Sequence, residues 1–242
     1  MKKAIGILAL ALAAGAAQAA SVSVNGAIVT NAGANNLAAI GTAGSVNFSG
    51  SGQNSSVSGI VAWSNPSGNT FELRLTGFTF TGTGTANQTI TIAIVQDYAL
   101  DPNAISGTAS HQFNGTVDFS AAGQLAQGST VSTHTAGGAP TVINNAFNAG
   151  GALSGGAGTS GINRGTASVP VAVGAGVWRI ATTYTFTVNA AGGTVSIFLP
   201  DSGVDNTLVA LVPLPPAAFA GLGGLALVGV GAAIRRRNLA RA

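Results

Sequence analysis

Alternation of large apolar residues with small polar ones is the feature that most constrains this fold. In VWRIATTYTFTV, residues 177–188, every second position from Trp178 to Val188 is apolar except Thr182, and the positions between them include Arg179 and three threonines. Successive side chains of a β-strand point to opposite faces, so the pattern predicts a strand with one buried face. Residues 20–211 are rich in Gly, Ser, Thr and Asn, which are poor in helix interiors.

In the segment TFELRLTGFTF, residues 70–80, the spacing of the apolar residues changes once. Its apolar positions are odd-numbered before Gly77 and even-numbered after it, at Phe71, Leu73, Leu75, Phe78 and Phe80. One inserted residue restores the same buried face, so the sequence predicts a β-bulge at Thr76–Gly77. Glu72 and Arg74 then lie on the solvent face as an ordinary exposed pair.

The remaining strands are shorter or less regular. GTVSIFLP, residues 193–200, is predicted to carry Val195, Ile197 and Leu199 on its inner face and to form a hairpin with residues 177–188. Further strands are predicted at Ser21–Thr30, Ser56–Trp63, Gln88–Gln96, Gly115–Phe119, Ser129–Thr135 and Thr141–Phe147. Many short strands without a helical period predict an all-β fold, an antiparallel β-sandwich, with a long Gly-rich loop between Gly137 and Gly165.

Charge is scarce and lies mainly at the two ends of the chain. Of nine basic residues, six lie within residues 2–3 and 235–241, and the body between them has three arginines against six carboxylates. Phosphate binding needs basic residues clustered on the folded surface, so we expect no nucleic-acid partner. The absence of cysteine excludes disulfides, thiolate metal sites and cysteine nucleophiles.

Residues suited to catalysis are few. The two histidines, His111 and His134, show no H-x-x-x-H or H-E-x-x-H spacing, and no G-x-S-x-G motif occurs. We therefore interpret both histidines as structural or surface residues, and predict a non-enzymatic protein with no catalytic residues and no cofactor.

Two acidic segments, QDYALDPN and LPDSGVDN, leave one alternative open. They carry Asp97, Asp101, Asp201 and Asp205, and oxygen ligands from loops at strand ends are what calcium prefers. Asp and Asn are also favoured in turns for their local hydrogen bonding. We interpret these residues as turn residues and assign no metal site, with calcium as the alternative.

The N-terminus has the organisation of a secretory signal peptide. Lys2 and Lys3 precede an apolar core, and Ala17-Gln18-Ala19 matches the small-residue cleavage pattern, so residues 1–19 are predicted to be removed after Ala19. The partners implied are the secretion translocon and a signal peptidase. The body, residues 20–211, is then exported.

The C-terminal residues 212–242 have three successive parts. Val212, Pro213, Leu214, Pro215 and Pro216 precede an uncharged run from Ala217 to Ile234, which Arg235, Arg236 and Arg237 follow directly. A helix over this run is about 27 Å long, enough to cross the hydrocarbon core. Arginines favour the cytoplasmic side, so the tail predicts an inner-membrane anchor that leaves the body outside the cytoplasm.

This order of proline motif, spanning segment and arginine cluster resembles the PEP-CTERM class of sorting signals. Leu214 stands where the family's glutamate would be, as in V-P-L-P variants. The resemblance implies recognition by an exosortase-like membrane protease or transpeptidase, cleavage near the proline motif, and transfer to the cell surface or extracellular polysaccharide matrix. The sequence therefore predicts an exported structural protein of the surface or matrix. The alternative is a surface carbohydrate-binding module, with or without calcium.

Overall fold

β-Strands make up most of the described chain, and they follow the predicted alternation. The computed structural model describes residues 20–211 apart from 26, 31–36, 103, 105, 138, 148–151, 174–176 and 201–203. The strands within these residues are β1 (Ser21–Val24), β2 (Ala27–Thr30), β3 (Leu37–Ala38), β4 (Thr42–Ser51), β5 (Ser55–Asn65), β6 (Thr70–Thr83), β7 (Gln88–Ala99), β8 (Ser106–Phe119), β9 (Gln124–Thr135), β10 (Thr141–Ala146), β11 (Ala152–Gly155), β12 (Gly158–Ala172), β13 (Val177–Asn189), β14 (Thr194–Leu199) and β15 (Val204–Leu211).

The strands form two sheets. Sheet A has the order β10-β9-β13-β7-β1-β2, with β11 paired to β9 and β3 to β7. Sheet B has the order β12-β8-β14-β6-β5-β4, and β15 also lies between β6 and β8. Within the described residues every pairing is antiparallel except the short one between β3 and β7. The all-β, antiparallel sandwich predicted from alternation is therefore confirmed.

The inward faces are the ones that the periodicity predicts. In β13, Trp178, Ile180, Tyr184, Phe186 and Val188 are all fully buried, and so are Val195, Ile197 and Leu199 of β14. Burial of an apolar side chain is the main favourable contribution to folding, so these alternating positions form the core between the sheets.

The predicted bulge in β6 is also confirmed. Burial shifts from odd to even positions between Leu75 and Thr76. In the pairing with β5, Ser58 lies opposite Thr79 and Ile60 opposite Thr76, so β6 has one extra residue. Gly77 adopts φ +52°, which suits a residue without Cβ. The bulge keeps Phe71 and Phe80 on the same buried side.

Three predictions about connections are wrong. The strands β13 and β14 do not form a hairpin, because β13 belongs to sheet A while β14 pairs with β6 and β8 in sheet B. Residues 21–30 are not one strand: Asn25, at φ 48°, reverses the chain between β1 and β2. The stretch from 137 to 165 is not a long loop, since it contains β10, β11 and the start of β12. Alternation reports which face is buried, but not which strand is the partner.

The two predicted terminal segments, residues 1–19 and 212–242, lie outside the described residues. Within the described residues, no helix has the length and hydropathy needed to cross a membrane.

Candidate functional site

Both histidines lie inside the sandwich, side by side with other polar residues. His134 on β9 and His111 on β8 are fully buried, as is Ser132. The Ser132 hydroxyl lies 3.0 Å from Nε2 of His134 and 2.9 Å from Oγ1 of Thr182. His111 is contacted by Asn145, whose Nδ2 lies 3.4 Å from Nδ1 of the imidazole. We name these five residues the histidine cluster.

Burial keeps both imidazoles neutral. Desolvation lowers the pKa of His134 to about 4, and desolvation together with the nearby His134 lowers that of His111 to about 4. Removing a charged imidazolium from water is costly, so the neutral form is favoured in the folded protein. Both histidines lie in the interior of the sandwich, so the surface alternative is wrong.

The Ser132–His134 pair resembles one half of a nucleophile and base arrangement. Nucleophilic catalysis also needs an orienting group on the second ring nitrogen and access for a substrate. Among the described residues, Nδ1 of His134 has no hydrogen-bond partner. Both side chains are fully buried, so a substrate carbonyl cannot reach the hydroxyl in this arrangement. The pair therefore acts as a buried polar contact within β9, and the Ser132 hydroxyl links it to Thr182 of β13.

Asp97 is a strand residue and not the turn residue that its sequence context predicts. It lies in β7 opposite Arg179 of β13, and the guanidinium donates two hydrogen bonds, Nε to Oδ1 at 2.7 Å and Nη2 to Oδ2 at 2.8 Å. The hydrogen bond and the charge of Asp97 raise the pKa of Arg179. Such two-point pairing commits both carboxylate oxygens to the arginine.

The two other candidate calcium ligands that the structure describes lie on or next to different strands. Asp101 follows β7, Asp205 lies on β15 in the other sheet, and Asp201 falls outside the described residues. The backbone of Asp101 is held in a turn, because its N–H donates to the carbonyl of Gly68 and its carbonyl accepts from the N–H of Ala104. No cluster of three acidic or histidine side chains suited to a metal occurs in the part of the chain that the structure describes.

The outer face of sheet B has a shallow depression at its β4–β5–β6 side. Its volume is about 410 Å³, and it is lined by Ala43, Gly44, Ser45, Ala62, Trp63, Ser64, Glu72 and Arg74. Nε of Arg74 lies 3.8 Å from the Glu72 carboxylate, and both side chains are about one third exposed. The Ser64 hydroxyl donates to the same carboxylate at 3.4 Å. As predicted, Glu72 and Arg74 face solvent.

Hydroxyl groups cover the β14 side of the same outer face in two rows that run across the strands. Residues directly opposite each other in paired strands lie on the same face. The first row is Thr159, Asp118, Ser196, Thr81, Ser56 and Ser51, and the second is Thr116, Phe198, Thr79, Ser58 and Ser49. All these residues are exposed or half-buried. We name this surface the hydroxyl face.

One aromatic ring lies within these rows. Phe198 is 42% exposed, whereas every other aromatic side chain that the structure describes is buried. It lies directly between Thr79 of β6 and Thr116 of β8. Close approach of β8 and β14 at this point requires glycine, because a Cβ on Gly115 would collide with the carbonyl oxygen of Phe198. The ring is thus held on a central strand of the sheet.

Sequence reasoning did not identify this surface. The alternation that placed Val195, Ile197 and Leu199 inside also places Phe198 outside, and this is the signal that could have identified it. The two rows themselves depend on the pairing of six strands, which alternation does not specify. The signal-peptide residues Ala17 and Ala19, the proline motif Val212–Pro216 and the cluster Arg235–Arg237 lie outside the described residues.

Comparison with known proteins identifies no family. No protein-family model matches this chain, and no curated protein matches it. Among solved structures, a similar chain is TmCBM61 in a complex with β-1,4-galactotriose; the TM-score is 0.27 and the identity is 12%, over 66% of this chain and 90% of that chain.

Proposed function

We propose that this protein is an exported, non-enzymatic structural protein of the cell surface or extracellular matrix, sorted by an exosortase-type system. The observation that carries the proposal is the order of three parts along the sequence: a segment with the pattern of a signal peptide, a β-sandwich body, and a tail of proline motif, apolar run and arginine cluster. The tail tethers the body to the outer side of the inner membrane until cleavage near Val212–Pro216 releases or transfers it.

The features of the body support a structural role. Most of its buried side chains are apolar. The histidines, which are the residues best suited to acid–base catalysis, are buried and neutral. A charge-poor sandwich suits a protein whose task is to be displayed.

Mass spectrometry of the protein recovered from its native cells tests the sorting proposal. We expect an N-terminus at Ala20 and a C-terminus near residues 212–216. A variant with Arg235, Arg236 and Arg237 replaced by Gln should keep the N-terminal cleavage, but retain its tail or remain in the membrane fraction. The matched control is Arg74→Gln, which changes a charge in the body and leaves the tail intact.

Two results would contradict the sorting proposal. One is a mature protein that still carries Arg235–Arg237. The other is correct C-terminal trimming of the variant without the arginines.

A second function is favoured by one feature of the body. The hydroxyl face presents serine and threonine side chains in register across six strands of sheet B. Hydroxyls both donate and accept hydrogen bonds, as the hydroxyls of a sugar do. The second candidate function is therefore a surface module that binds extracellular polysaccharide.

A further inference from the structure

Phe198 differs from the other aromatic residues that the structure describes, because its side chain is exposed. Large aromatic side chains contribute most of the buried area of a core, and the other described aromatic side chains here are all buried. Phe198 lies instead on the outside of β14, a central strand, with 42% of its surface exposed. An exposed aromatic ring among hydroxyl groups is a candidate contact for a ligand that has both apolar and polar surfaces.

We propose that the hydroxyl face binds a neutral polysaccharide chain, with Phe198 as the ring on which one sugar stacks. This inference rests on the second candidate function, and it names the surface, the central residue and the class of polymer.

Stacking follows from the chemistry of the sugar ring. One face of a pyranose presents mainly C–H groups, and aromatic rings attract such groups through their electron-rich faces. Thr79 and Thr116 lie directly on either side of Phe198. A sugar seated on the ring therefore has a threonine hydroxyl near each edge, within reach of its own hydroxyl groups.

The neighbouring row supplies further hydrogen-bonding groups. The hydroxyls of Thr81 and Ser196 lie 2.9 Å apart, and Thr159 donates to Oδ1 of Asp118 at 2.7 Å. These contacts orient the side chains before any ligand binds, which lowers the entropic cost of binding. The six strands span about 24 Å across the rows at the usual strand spacing, so several sugar units fit along them.

The charge of the surface favours a neutral chain. Asp118 is the only ionisable residue in the two rows that define the hydroxyl face. An anionic polymer needs cations on its binding surface, and these two rows contain no arginine or lysine. The large apolar side chains exposed on the described strands of sheet A differ, because they are the aliphatic Leu37, Val131, Val142 and Val177. Sheet A thus provides a control surface on the same molecule.

Affinity electrophoresis of the purified full chain in a non-ionic detergent tests the proposal. Native gels contain dextran, β-1,4-galactan or hydroxyethylcellulose as neutral polymers, or alginate as an acidic one. We expect at least one neutral polymer to retard the protein and alginate to leave its mobility unchanged. Phe198→Ala should weaken the retardation about tenfold, because it removes the stacking contact.

Two matched variants control for loss of folding. Phe198→Trp keeps an aromatic ring and should retain binding, while Val131→Ala truncates a similarly exposed side chain on sheet A and should bind as the parent does. Thermal unfolding of all variants checks that they remain folded. Three results would overturn the proposal. They are full binding by Phe198→Ala, binding to alginate alone, and the absence of retardation by every neutral polymer. Sorting is measured separately by the mass of the native protein, so it can stand if binding fails.

Discussion

The two lateral halves of the sandwich interior are built from different chemistry. We define the apolar half as the apolar inward side chains of β5, β6 and β7 between residues 57 and 94, among which Phe71, Leu73 and Ile92 are fully buried. The polar half surrounds the histidine cluster on β8, β9, β10 and β13, where His111, Ser132 and His134 are equally buried. Side chains that are equally buried are therefore apolar in one half and polar in the other.

The difference lies in what each half must satisfy. An apolar side chain needs only close packing, whereas a buried polar atom also needs a hydrogen-bond partner. Ser132 meets this need by bridging Thr182 and His134. In contrast, Oγ1 of Thr130 and Nδ1 of His134 have no partner among the described residues. We expect the apolar half to contribute most of the stability and the polar half to make that stability depend on pH.

The largest expected effect lies in the apolar half. Phe71 packs against Tyr98 and Trp178, with ring centroids 5.1 and 5.9 Å away. Phe71→Ala should lower the free energy of unfolding by about 3–5 kcal/mol, because it removes a large buried side chain and leaves a cavity. Urea denaturation followed by tryptophan fluorescence measures the change. Phe198→Ala, in the exposed position, is the control and should cost less than about 1 kcal/mol.

The second-largest expected effect is a loss of stability at low pH, and we expect it to arise in the polar half. The pKa of His134 is about 4 in the folded protein and about 6.5 when unfolded, so between these values the unfolded chain binds more protons. Stability contributed by the neutral imidazole is complete above pH 6.5 and is lost as the pH falls towards 4, by about 3 kcal/mol at pH 4. Unfolding curves at pH 7 and pH 4 measure the loss.

A variant separates this titration from general acid effects. His134→Leu removes one titrating group at similar volume, and it should reduce the loss between pH 7 and pH 4. An unchanged pH dependence in this variant would show that His134 is not its source, whereas Phe71→Ala should leave the pH dependence as it is.

A smaller effect is expected from removing the hydroxyl that links the cluster. Ser132→Ala removes the hydroxyl that lies beside Nε2 of His134, and leaving this buried ring nitrogen unsatisfied costs about 1–3 kcal/mol. Equilibrium unfolding at pH 7 measures the cost. The double variant Ser132→Ala with His134→Leu should recover part of it, and a purely additive result would argue against direct coupling of the two residues.

The smallest effect is expected outside the apolar half, on the solvent side of β6. Glu72→Gln removes a partly exposed ion pair with Arg74, which contributes at most about 1 kcal/mol. The difference in the free energy of unfolding between this variant and the parent protein should become smaller at high salt, since salt screens exposed charges. If Glu72→Gln lowered the free energy of unfolding as much as Phe71→Ala does, the expected difference between interior and surface positions would be wrong.

Much of the fold could be predicted from alternation. The inward residues of β6, β13 and β14 and the bulge at Thr76–Gly77 follow from local parity, because each strand presents every second side chain to one face. The hairpin between β13 and β14 was predicted wrongly for the same reason. Alternation within one strand does not predict which strand pairs with it. The turn at residues 190–193 connects a strand of sheet A to a strand of sheet B, so β13 and β14 are not paired.

The positions of the candidate site residues depend on which strands pair with each other. His111 and His134 are separated along the chain and lie in polar segments, yet antiparallel pairing and sheet packing enclose both in the interior. Asp97 was expected in a turn, but β7 continues to Ala99 and pairs Asp97 with Arg179 of β13. In each case, a contact between residues distant in sequence decides the role.

Sequence by itself determined the class of fold, the buried face of the main strands and the signals predicted at both ends, because all of these are written in short, contiguous patterns. Only the tertiary structure decided that the histidines are buried together and that Phe198 lies between hydroxyls on a six-stranded face. The physical reason is that burial and surface arrangement depend on which strands pair, and pairing is set by long-range packing of the whole sandwich.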